Sequence, residues 1–176
     1  MPHLGAVRRG AFAGFLLVSL GLQSCGPAAG SAATRHESPC VIERIADGDT
    51  FTCRDGRRVR LIGIDTPARG QGESGRQARA ALSRLAPAGT TVRLERDIAP
   101  RDRYGRELAH VWVGSRLVNE ALVLEGWAVL YTVPPNVKYA GRLERAQKRA
   151  RAAGVGLWAD GRLDCAPAQY RRGECR

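Results

Sequence analysis

Two aspartates and two arginines have the types and spacing for phosphate chemistry. Asp47 and Asp49 bracket Gly48, and Asp65 enters a Thr-Pro turn at the end of the apolar run "LIGID". Taken singly, each is a turn: Asp-Gly is a favoured hairpin connection, and turn aspartates hydrogen-bond their own backbone. Taken together, they set carboxylates at the ends of neighbouring strands, an oxygen donor set suited to a hard cation such as Ca²⁺ or Mg²⁺. Arg60 lies five residues before Asp65, and Arg106 follows Arg-Tyr-Gly before the next strand-like run. Guanidinium forks bind phosphate oxygens and offset charge that accumulates when a phosphodiester is attacked.

Strands must hold these residues in place. "CVIERIA", "TFTC", "RRVRLIGID", "TVRLERDI" and "ELAHVWV" alternate or carry strand-like composition, which predicts five strands, the first two joined through "DGD". Helical spacing follows. Ser74 is a candidate cap for a helix presenting Ala78, Ala81, Leu82 and Leu85; a second helix is expected over about residues 116 to 125, and a third carries Leu143, Ala146 and Ala150. This order predicts an α+β domain closed as a small barrel, with an open sheet as the alternative that alternation alone permits.

Charge and cysteines indicate partner and compartment. The chain has 28 basic and 17 acidic residues, a net charge of +11, which calls for a polyanionic partner, nucleic acid or an anionic membrane surface. Arg8 and Arg9 precede the apolar stretch "GAFAGFLLVSLGL", which has the form of an export signal and is too short to span a bilayer. Two processing sites compete: "LQSC" is a lipobox-like stretch with Cys25 as the residue to be lipidated, and "SAA" at 31 to 33 suits an ordinary signal peptidase. The expected organisation is a leader over 1–25, a linker over 26–39, a domain over 40–159 and a tail over 160–176. Export makes disulfides the expected state of the four other cysteines, and local pairing favours Cys40–Cys53 and Cys165–Cys175.

"IADGDTFTC", "RVRLIGIDTP", "RDRYGRELAHVWV", "RLVNEALVLEGWA" and "GVGLW" occur in this order across residues 41 to 158, and the set resembles the staphylococcal nuclease (thermonuclease) family. The resemblance implies a five-stranded OB-fold β-barrel with three helices, and a Ca²⁺-dependent nuclease acting on DNA and RNA. It implies Asp49 and Asp65 as calcium carboxylates, with the Thr66 backbone carbonyl as a further ligand. Arg60 and Arg106 become the catalytic arginines, Asp47 the acid behind the ligands, and Tyr131 and Tyr104 the residues near the nucleotide. A monomer is expected, membrane-attached if Cys25 is lipidated.

The family pattern breaks at Ala68, where a glutamate that serves the attacking water is usual, and at Val133, where a second aromatic is usual. Three outcomes stay open: a cation that suffices without a base, Glu73 substituting from the glycine-rich loop "ARGQGESG", or an OB-fold module that binds nucleic acid without cutting it.

Overall fold

Alternation in the first strand is broken once, and the break bends it into two sheets' worth of pairing. The computed structural model describes residues 37–159, 163 and 165–175; the leader, most of the linker and Cys25 lie outside the described residues. Strand β1 (Glu37–Asp47) buries Cys40 and Ile42 and then Ile45, three residues on, because a register shift falls between Ile42 and Arg44. Its first half pairs with β5 (Thr91–Glu95), and its second half with β2 (Thr50–Cys53).

Strand β3 (Arg58–Leu61) runs antiparallel to β2 and parallel to β6 (Glu107–Val113), which in turn pairs with β5. The ring β1-β2-β3-β6-β5 therefore closes on itself, and the open-sheet alternative falls away. This is the five-stranded OB-fold barrel. Ile42, Phe51, Leu61, Leu94 and Val111 fill it. Helix α1 (Gly72–Leu85) packs Ala81 and Leu82 against that core, and α2 (Val118–Leu124) and α3 (Ala140–Ala152) add Leu122 and Leu143.

The elements depart from the expected pattern in five places. The run 57–65 is two strands, because Gly63 sits at φ 76° and a Cβ there would lie 2.6 Å from Leu143 Cδ1. The second piece, β4 (Gly63–Asp65), leaves the barrel and pairs with β8 (Val129–Tyr131). Helix α1 begins before Ser74, with Gln71 at its N-cap. Residues 116 and 117 form a short strand β7 (Arg116–Leu117) rather than the start of α2. Among the described residues the tail holds a further helix, α4 (Pro167–Arg171). Both disulfides are formed in the expected pairs: Cys40–Cys53 inside the core, and Cys165–Cys175 around α4.

Candidate active site

Asp49 reaches the end of the barrel because Gly48 has no side chain. A Cβ at Gly48 would stand 2.8 Å from both Ala78 Cβ and Thr66 Oγ1, so the β1–β2 turn packs directly on α1 and on the residue after Asp65. The Asp49 N–H donates to Asp47 Oδ1 at 3.3 Å. Asp49 Oδ2 accepts from the Thr66 N–H at 3.1 Å and from the Thr66 hydroxyl at 2.8 Å, while Oδ1 accepts from the Thr50 hydroxyl at 3.0 Å. These bonds join the turn after β1 to the turn after β4.

Asp49 and Asp65 are 2% and 0% exposed, and buried carboxylates of this kind need compensating charge. Arg60 supplies it. Its Nη1 forms an ion pair with Asp49 Oδ1, and its Nη2 lies 2.9 Å from Asp65 Oδ1 and 3.2 Å from the Ile64 carbonyl. Burial pushes the Arg60 pKa below its ordinary value; Asp65 and Asp47 oppose that shift, and Arg106 adds to it. Arg106 and Asp47 are thus within electrostatic reach of Arg60.

The barrel register explains the nearness of the two arginines. Arg60 pairs with Leu108 across the parallel β3–β6 ladder, and Arg106 stands two residues earlier, at the mouth of β6. Asp102 holds Arg106 in place, accepting from its Nε at 2.7 Å and from its backbone N–H at 3.0 Å. The Asp102 carboxyl lies below its usual pKa: burial works against this, and the bonds from Arg106 outweigh it. Half-buried and clamped by Asp102, Arg106 is held within electrostatic reach of Arg60.

Tyr131 ends β8 opposite Gly63, two residues from Asp65 on the paired strand, and is 44% exposed. Tyr104 lies in the loop before β6, exposed, with the Arg103 and Arg106 guanidiniums over its ring at 4.9 and 5.5 Å. Val133 is also exposed. Ala68 sits against the start of α1, its N–H donating to Gln71 Oε1 at 2.9 Å. Glu73 stands in the first turn of α1 with its side chain 58% exposed, accepting from Gln77 Nε2 at 2.6 Å and pairing with Arg76. The glycine-rich stretch that was expected to fold Glu73 back as a loop is helical from Gly72.

Three contributors escape sequence reading. Gly48 is one. Asn119, wholly buried on α2, accepts from the Val111 N–H at 2.9 Å and donates to the Ile62 carbonyl at 2.8 Å, fixing the joint between the strand of Arg60 and the strand of Asp65. Arg171 is the third: its Nη1 and Nη2 lie 2.8 and 2.5 Å from Asp65 Oδ1 and Oδ2. The Cys165–Cys175 pair brackets that arginine and is the only sequence signal that its segment is held in one shape.

The donors fit a hard cation. Two buried carboxylates meet across the Arg60 guanidinium, and their oxygens are donors of the kind Ca²⁺ takes. No group of three or more His, Cys, Asp or Glu side chains converges among the described residues, so the cation would be held by few protein ligands. Arginines placed against such a pair are the complement of a phosphate ester.

Fold and site together define an OB-fold barrel with a carboxylate and arginine centre at the mouth formed by its strand-end turns. Residues 58–160 match the family model described as staphylococcal nuclease homologue, and the chain belongs to that family. It is 37% identical over 140 residues to thermonuclease of Staphylococcus intermedius, covering 76% of this chain and 83% of the relative. Thermonuclease of Staphylococcus hyicus is 37% identical over 133 residues, covering 71% and 78%. An uncharacterized endonuclease of Haemophilus influenzae is 36% identical over 148 residues, covering 82% and 79%.

Proposed function

We propose that this chain is an exported, monomeric, Ca²⁺-dependent nuclease that hydrolyses phosphodiester bonds of DNA and RNA with little sequence preference. The observation that carries the reading is the burial of Asp49 and Asp65, both paired to Arg60, with Arg106 within electrostatic reach of that guanidinium. A module that only binds nucleic acid has use for Arg60 and Arg106, but two carboxylates near a phosphate repel it unless a cation lies between. The names thermonuclease and endonuclease carried by its relatives support the same reading.

In this mechanism Asp49, Asp65 and the Thr66 carbonyl would hold the cation, which would supply Lewis-acid charge stabilisation and activation of water. Arg60 and Arg106 bind the non-bridging oxygens of the scissile phosphate and offset their growing charge in the transition state. Asp102 keeps the Arg106 guanidinium oriented and Asp47 braces the turn of Asp49 by accepting its N–H, so little reorganisation accompanies the chemistry. Tyr131 and Tyr104 offer ring faces to the flanking nucleotide. Two disulfides suit an oxidising compartment, and lipidation at Cys25 would attach the same enzyme to a membrane.

Ala68 favours a second reading, a slow or silent barrel that binds without cutting. Digestion of plasmid and single-stranded DNA with Ca²⁺ or with chelator separates the two. Calcium-dependent cleavage is expected. Cleavage that survives chelation rules out the cation mechanism, and salt-sensitive binding with no cleavage at all establishes the binding module.

A further inference from the structure

We propose that the stapled tail carries an internal counter-cation for this site: Arg171 occupies Asp65 and competes with the divalent cation for it. The inference rests on the reading of Asp65 as a cation ligand. Asp65 is buried completely, and its two oxygens are both engaged by guanidinium, Oδ1 by Arg60 and Arg171, Oδ2 by Arg171. A fork of this kind satisfies the same demand for positive charge that a divalent cation would, and it uses the oxygens that the cation needs. The two ligands therefore exclude one another. Arg171 itself stays 43% exposed, so it forms the outer face of the buried pair.

The tail is built to present this arginine and little else. Helix α4 has five residues, and the Cys165–Cys175 bond closes the segment over a separation of ten. It seats on the loop after Asp65. Gln71 Nε2 donates to the Cys165 carbonyl at 3.1 Å, and a Cβ at Gly70 would come within 2.4 Å of Tyr170 Oη, so Gly70 leaves the slot in which that ring lies. The hydrogen bonds to Asp65 raise the Arg171 pKa above its ordinary value, with the neighbouring Tyr131 adding to the effect. A guanidinium so held remains charged throughout the physiological range.

Two consequences are linked. The apparent affinity for cation falls by the fraction of molecules whose tail is docked. Reciprocally, bound cation loosens the tail by the same factor. Loss of Arg171 thus tightens cation binding, while loading with cation exposes the staple.

Calcium titration by calorimetry of wild type, Arg171→Ala and Gly70→Ala tests the first consequence. Gly70→Ala displaces Tyr170 and keeps the arginine. Both variants should bind Ca²⁺ about tenfold more tightly than wild type, within the usual range of such couplings. Dithiothreitol reduction followed by thiol alkylation and mass analysis tests the second: Ca²⁺ should speed opening of Cys165–Cys175 several-fold and leave the buried Cys40–Cys53 pair unchanged. Equal, measurable affinity in wild type and Arg171→Ala overturns the competition while leaving the cation site intact. Absence of Ca²⁺ binding in every variant overturns the competition and the cation reading together. A reduction rate indifferent to Ca²⁺ overturns the coupling between site and tail.

Discussion

At position 68 the side chain stops at a methyl group, and the next acid along the chain is occupied on its own helix. Glu73 pairs with Arg76 at i+3 and with Gln77 at i+4, the spacing at which helical neighbours meet. A general base typically contributes about 10² to 10⁴ in rate. Glu73→Gln is therefore expected to keep the Ca²⁺-dependent cleavage rate within about an order of magnitude of wild type, short of that range. A loss of a hundredfold or more in steady-state digestion would identify Glu73 as the base after all. Arg60 is placed differently: each of its terminal nitrogens is committed to a different carboxylate, and a lysine in its place has no second arm to give.

Elements bring these side chains together through close approaches. The turn carrying Asp49 meets α1 and Thr66 at Gly48, where a methyl group would collide at 2.8 Å on two sides. Gly48→Ala should push Asp49 away from Thr66 and Arg60, and a displacement of about 1 Å in such a centre can cost ~10²-fold in rate. Cleavage assays beside thermal unfolding check this: a folded variant with unchanged activity would refute it. Period-two alternation revealed the barrel strands, since each has one face in the core. It failed at Ile42 to Ile45, where the bulge shifts the phase, and at 129–131, where three residues paired to β4 are too few to show a period. The turn aspartates were legible because Asp-Gly-Asp and Asp-Thr-Pro follow strand-like runs. Their meeting beneath Arg60 was not, because it depends on β3 lying between β2 and β6. Arg171 comes from 106 residues beyond Asp65 and is one basic residue among 28.

The whole molecule carries a titration inside its core. His110 is 1% exposed, its ring meets Tyr139 edge-on at 4.6 Å, and among the described residues neither ring nitrogen has a hydrogen-bond partner, Nε2 lying 3.9 Å from Asp97 Oδ2. Burial lowers its pKa to about 4, with Asp97 and Glu95 opposing and Lys138 reinforcing that shift. The unfolded chain takes up this proton near pH 6.5 and the folded chain only near 4, so the unfolded state binds more protons between them. Stability is complete above that window and falls as the pH drops through it, by roughly 2 kcal/mol between pH 7 and pH 5. Urea unfolding at the two pH values should show this increment in wild type and not in His110→Met; equal slopes would refute the assignment. The pairing of β4 with β8 bears on the timing of competence. Asp65 is fixed by residues 129–131, so a chain emerging vectorially, from a ribosome or through a membrane, has passed most of its length before that carboxylate finds its place. On the proposed reading, synthesis and any passage precede competence, and the chain is inert as a thread until the barrel and its side sheet have formed.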